Sequence, residues 1–161
     1  MAGYITLFQG RVYEGLFTAA EAMPNGIWVE KTYDADAPNG FTVAPLAAAY
    51  DADATVAYFL ENEYDVDWDS TPLDFTAFEC KAGDYCRMHR MLAGEEVIMT
   101  VDQAVFDAAT TIPGATFTPA VGGSVTYVGA PGAASGGPLR LVEKVLMWGL
   151  PALRLATDKN M

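Results

Sequence analysis

Glycine and proline interrupt this chain at short, fairly even intervals, and that punctuation constrains its fold more than any other feature. The breaks fall at Gly3, Gly10, Gly15, Pro24-Asn25-Gly26, Pro38-Asn39-Gly40, Pro45, Pro72, Gly83 and Gly94. They continue at Pro113-Gly114, Pro119, Gly122-Gly123, Gly129, Pro131-Gly132, Gly136-Gly137-Pro138 and Gly149. Short strands joined by turns fit between such marks, whereas long helices do not. The intervening segments are β-branched and aromatic. Ile27-Trp28-Val29 and Phe41-Thr42-Val43 each follow a Pro-Asn-Gly turn. Val97–Val101 reads as a buried strand and Ser124–Val128 as a half-buried one. Near the end, Leu139, Leu141, Val145 and Met147 are expected to share one face. Trp148-Gly149-Leu150-Pro151 then breaks the run and Ala152–Leu155 resumes it, which gives a C-terminal hairpin. Helices are expected to be few. Candidates are Pro45–Tyr50 with proline at its start, a turn or two over Gln103–Ala109 after Asp102, and, more weakly, Glu14–Met23. The fold class expected is mainly β: one domain over residues 1–161, a β-barrel or β-sandwich with one or two short helices and the C-terminal hairpin.

Composition narrows what such a domain can do. The 161 residues are 52% hydrophobic, enough for a core of a single compact domain. Twenty-one acids against nine bases leave a net charge of −12. Phosphate contact needs clustered Lys and Arg, so neither a nucleic acid nor an anionic membrane surface is expected as a partner. No base precedes the apolar start, since Arg11 is the first, so no secretory signal is expected. No apolar run is long enough for a membrane helix, and the uncharged stretch 108–139 is rich in Gly, Pro, Ser and Thr.

Charge is unevenly spread. Eleven acids lie between Glu30 and Asp74, with Lys31 alone opposing them. The bases Lys81, Arg87 and Arg90 then gather around His89. The acidic front reads as a solvated face, and the asymmetry also suits partner contacts. Within the front, Asp65, Asp67 and Asp69 would put three carboxylates on one strand face, an arrangement that calcium relieves. Ser70 and Thr76 stand where an EF-hand loop needs Gly and Glu, so a solvated loop without metal is the favoured reading.

Catalytic constellations are thin. Cys80 and Cys86 flank Gly83, so a turn there would permit a disulfide, while two free thiols are the favoured state. Cys86 lies three residues before His89, the single histidine, which is too near for a typical nucleophile–base pair from separate elements. The glycine-rich run Gly129–Pro138 lacks the Gly-Lys-Ser/Thr ending of a phosphate loop and reads as a surface loop. Neither a cofactor nor enzyme activity is expected.

Several stretches in order carry a resemblance. They are Phe8–Gly15, Thr18–Gly26 with Trp28-Val29-Glu30, Lys81–Arg87, Leu92–Glu95, Gly122–Tyr127, Leu139–Glu143 and Gly149–Leu155. This succession of turn glycines, strands, a Gly-rich loop and a final hairpin resembles the head-decoration, or cement, proteins of tailed bacteriophages. The resemblance covers most of the chain, and the acidic stretch 33–74 reads as an insert to it. It implies a β-barrel or sandwich made in the host cytoplasm and placed on the virion, outside the capsid. There it would bind the major capsid protein, associate as a trimer and stabilise contacts between capsid subunits. Tyr4, Leu7, Phe8, Arg11, Arg87 and Arg90 are the expected contact residues. The segment 1–12 reads either as an ordinary first strand or as an arm that adds a strand to a neighbour. A tail-tube subunit, an acidic binding module and a small enzyme centred on His89 remain alternatives.

Overall fold

The computed structural model describes residues 12–53, 56–61, 79–109, 114–130, 136–147 and 149–161, with side chains from Phe17 onward. The protein is mainly β, as expected, and its two principal layers differ in kind. The first is a closed barrel of five strands: β1 (Val12–Ala19), β3 (Trp28–Tyr33), β4 (Phe41–Pro45), β5 (Tyr58–Leu60) and β7 (Tyr85–Arg90). Around it the order is β1-β4-β3-β5-β7. Closure comes from β1, which pairs in parallel with β4 (Thr18 opposite Thr42) and antiparallel with β7 (Phe17 opposite Cys86). The second layer is an open five-stranded sheet built from β8 (Glu96–Thr100), β9 (Thr116–Pro119), β10 (Val125–Gly129), β11 (Leu139–Met147) and β12 (Leu150–Thr157), in the order β10-β9-β11-β12-β8. A two-residue ribbon joins β2 (Met23–Pro24) to β6 (Glu79–Cys80).

The apolar runs explain which strands sit at the centre. Strands buried on both faces lose the alternation of half-buried ones and read as continuous hydrophobic runs. Ile27-Trp28-Val29 and Tyr58-Phe59-Leu60 are such runs. Val29, Tyr58 and Leu60 fill the barrel with Ala19, Met23, Val43, Cys80, Cys86 and Met88. Trp28 and Phe59 point the other way, their rings 5.0 Å apart, into the layer between barrel and sheet. There they meet Val97, Met99, Phe117, Leu139, Leu141, Leu153 and Leu155 from the inner sheet face. A 3-10 turn at Val121–Gly123, between β9 and β10, presses against β3, and the Leu46 carbonyl accepts a hydrogen bond from Gly122 N–H at 2.9 Å.

The C-terminal hairpin forms as the sequence predicts, but its face assignment changes halfway. Leu141 opposes Leu155, and Glu143 opposes Arg154, so Val142 is an extra residue that makes a β-bulge. Because side chains alternate with period two, the bulge flips the rest of β11. Leu139 and Leu141 therefore enter the core, while Val145 and Met147 pack on the outer face with Ile98, Leu150 and Ala152. Arg154 holds that face together, donating to Glu96 at 2.6 and 2.8 Å and to Glu143 at 3.0 Å. These two carboxylates, Glu143 first, raise the Arg154 guanidinium above its usual range.

Four further expectations are met, corrected or sharpened. Glu14–Met23 is not helical: β1 occupies it with a register shift between Tyr13 and Gly15, and β2 begins at Met23. Gly15 thus marks a strand irregularity, as an interior glycine commonly does. Pro45–Tyr50 is not helical either. Pro45 ends β4, and the N–H groups of Leu46 and Tyr50 reach the Trp28 and Pro119 carbonyls at 3.4 and 3.0 Å, bonds across elements that replace a helical ladder. The helix after Asp102 does form, as α1 (Gln103–Ala108), with the Asp102 carbonyl accepting from Phe106 N–H. The acidic stretch is not an appendage to the fold, since β4 and β5 lie within 33–74 and supply two staves of the barrel.

Candidate functional site

One end of the barrel carries an aromatic rim that the sequence analysis did not single out. Val29, Lys31 and Tyr33 share one face of β3, and Val43 and Phe41 face them from β4. This file begins inside the barrel with Val29 and Val43 and climbs outward to Tyr33 and Phe41. Lys31 stands where the apolar filling ends. Its Nζ lies 5.0 Å from the Phe17 ring centre, 5.0 Å from Tyr58 and 5.5 Å from Phe41. A cation over ring faces contributes about 0.5–2 kcal/mol, more as water is excluded. The ammonium therefore closes the barrel interior and fixes the rings of three different strands.

Beyond the ammonium the rings reach solvent. Phe17 meets Phe41 edge-on at 6.2 Å, and Tyr33 meets Phe41 edge-on at 5.8 Å. Tyr33 is 71% exposed and Phe41 36%. The β3–β4 loop shapes the rim's border. Asp34 N–H donates to the Gly40 carbonyl at 3.0 Å, and the Asp34 carboxylate accepts from Asp36 N–H at 3.0 Å. Asp34 and Asp36 thereby border an apolar patch whose rings are held in advance, an arrangement that lowers the ordering cost of binding.

Of the contact residues expected from sequence, Arg87 and Arg90 fall within the described part of the chain. Tyr4, Leu7, Phe8 and Arg11 lie outside the described residues, as does Asp65-Val66-Asp67-Trp68-Asp69. Arg87 and His89 share the outward face of β7, and the His89 Nε2 lies 3.2 Å from the Glu61 carboxylate. Arg90 donates through Nε to the Met161 carbonyl at 2.8 Å, so this guanidinium ties the end of the described chain to β7. Within the basic strip, Arg90 and His89 thus serve as internal fastenings. Cys86 points into the barrel while His89 points out of it, so the two side chains form no nucleophile–base pair.

Comparison with protein-family models, with curated proteins and with solved structures finds no match to this chain. The chemistry must therefore be read from the residues alone. A concavity of about 390 Å³ lies between Tyr50, Asp51, Thr118, Pro138 and Lys159. Burial lifts the Tyr50 phenol above its usual range against the opposing pull of Arg90, so it lines the cleft as a neutral hydroxyl at ordinary pH. Among the described residues no three His, Cys, Asp or Glu side chains are grouped to hold a metal, and no helix is long and apolar enough to cross a membrane. The rim is the feature whose geometry most directly suits binding. Its signal was faint in sequence: four aromatic residues and a lysine spread from Phe17 to Tyr58, with Tyr33 and Phe41 bracketing an acidic loop.

Proposed function

We propose that this protein is a virion structural protein, a decoration subunit that binds the outside of a tailed-phage capsid and stabilises contacts between major capsid proteins. The observation that carries this reading is the preorganised aromatic rim. Exposed aromatic side chains held rigidly at the centre of a patch are the groups that dominate protein–protein binding energy. The order of turns and strands in the sequence supports the same reading. The partner is the major capsid protein, and Tyr33 and Phe41 enter an apolar depression on it. Self-association as a trimer multiplies a modest contact on each subunit, and many copies acting on a closed shell reinforce one another. The protein is made in the host cytoplasm and acts on the capsid surface.

Two measurements test this. Quantitative mass spectrometry of purified particles from the source culture should find on the order of one copy for every one to three copies of the major capsid protein. A far smaller ratio would assign the chain to the tail, and its absence from particles would remove the proposal. In binding to undecorated capsids, the double variant Tyr33→Ser/Phe41→Ser is expected to lose affinity about thirtyfold or more, the size of a lost aromatic hot spot. Its unfolding midpoint should stay within a few degrees of the parent, since Tyr33 is largely exposed. Undiminished capsid binding by the folded variant would place the contact elsewhere.

A further inference from the structure

The turn between β6 and β7 brings two cysteines together. It spans Lys81–Asp84 and is closed by Asp84 N–H donating to the Lys81 carbonyl at 3.0 Å, with Gly83 at φ +85°. Two more bonds of 2.9 Å pin it to the end of β1, Gly83 N–H to the Ala19 carbonyl and Ala19 N–H to the Asp84 carbonyl. Cys80 ends β6 on one side of the turn, and Cys86 is the second residue of β7 on the other. Both side chains enter the same apolar cluster inside the barrel, at 2% and 0% exposure. Cys86 Sγ donates to the Phe17 carbonyl at 3.1 Å, and the Cys80 sulfur lies near enough to act on the Cys86 thiol. Both are free.

We infer that Cys80 and Cys86 form an internal cross-linking site, a dithiol that closes into a disulfide and staples β6 to β7 within the barrel. This holds whatever the rim binds. The oxidant is a low-molecular-weight disulfide such as glutathione disulfide. One cysteine thiolate attacks a sulfur of that oxidant, forms a mixed disulfide and expels one glutathione thiolate. The other cysteine thiolate attacks the protein-side sulfur, forms the Cys80–Cys86 bond and expels the second. Two electrons pass from the cysteines to the oxidant, and the two protons they release are taken up by the departing glutathione thiolates.

The fold also sets when this happens. The neighbouring Cys80 sulfur and burial push the Cys86 thiol up, so the reduced pair is a poor nucleophile while the barrel is shut. Reagent reaches it through opening of the ribbon between β2 and β6, which among the described residues is held by two residue pairs, Met23 with Cys80 and Pro24 with Glu79. So short a ribbon lies at the low-stability end of local opening.

The test uses the full chain incubated with glutathione disulfide under conditions that permit local opening, then digested with trypsin without reduction. Cleavage after Lys81 and Arg87 separates the two cysteines into peptides 32–81 and 82–87. The expected product is these two peptides linked, lighter than their sum by two hydrogens and parted by dithiothreitol. The unfolding midpoint should rise by about 5 °C, as expected for closing a short loop in a chain of this size, and fall back on reduction. Cys80→Ala and Cys86→Ala should show no such rise. Peptide 82–87 recovered only free, capped by glutathione, or joined to a second copy of itself would overturn the inference. That peptide map is read on the unaltered protein, so it stands even if a variant fails to fold.

Discussion

Trp28→Ala is expected to lower the unfolding midpoint by about 10 °C. Trp28 is completely buried, and its ring meets Phe59 between barrel and sheet. Removing a buried aromatic side chain costs about 3–5 kcal/mol, because the lost transfer energy adds to the cavity left behind. Each kcal/mol moves the midpoint of a domain this size by about 2–4 °C. The site has little freedom to collapse, since β3 and β5 are clamped in the barrel on one side and the sheet packs from the other. Trp28→Phe separates ring from polar handle. The indole N–H is buried and has no hydrogen-bond partner, so phenylalanine keeps most of the contact and removes an unsatisfied donor. It should cost less than half of the alanine change. Thermal unfolding followed by far-ultraviolet circular dichroism reads both. Equal losses for the two variants would show that the indole's extra bulk, rather than an aromatic ring as such, holds the layers together.

Gly123→Ala should be about as damaging, for a different reason. A Cβ on Gly123 would lie 2.6 Å from the Trp28 carbonyl oxygen and 2.8 Å from the Ile27 Cβ, and φ is +85°. The first neighbour is backbone and cannot swing away, so β3 and the 3-10 turn would have to separate. A strained dihedral of this kind costs on the order of 1–3 kcal/mol, and overpacking adds a similar amount. The sum, about 4 kcal/mol, corresponds to a fall of roughly 8–16 °C. Gly122→Ala is the internal control. Gly122 has nearly the same φ, +78°, but nothing within 4 Å of the added carbon, so it carries the dihedral cost without the collision. Thermal melts of the pair should therefore differ by about 4 °C or more. Indistinguishable melts would mean that the turn can move off β3 at little cost.

How far the sequence foretold this molecule depends on the range over which each feature is decided. The C-terminal hairpin, β8 and β10 were legible because alternation and turn residues act over a few positions. Val142 was not, since an inserted residue leaves no mark in composition while reversing the faces of Val145 and Met147. Pro45–Tyr50 looked helical by its alanines, yet its N–H groups are claimed by Trp28 and Pro119, partners remote in the chain. The acidic stretch drew attention to its charges, while Phe41, Val43, Tyr58 and Leu60 within it were building barrel wall. The rim was the least legible. Phe17, Lys31, Phe41 and Tyr58 belong to four strands, and only the barrel's closure sets them around one point.

The parallel union of β1 with β4, together with β1's second partner β7, also governs the order in which the chain can mature. Phe17 and Cys86, joined by a hydrogen bond, are 69 residues apart. Ribosomes add about 5–20 residues per second, so on the order of ten seconds separates the synthesis of the two strands that seal the barrel. During that interval β1 has one neighbour at most, and an open strand edge is a template for pairing with other chains. Non-local closure of this kind also makes for slow folding once synthesis is complete. Nascent fragments that end before β7 should accordingly depend on chaperones, and fragments that extend through Arg90 should be the first to hold the barrel without them.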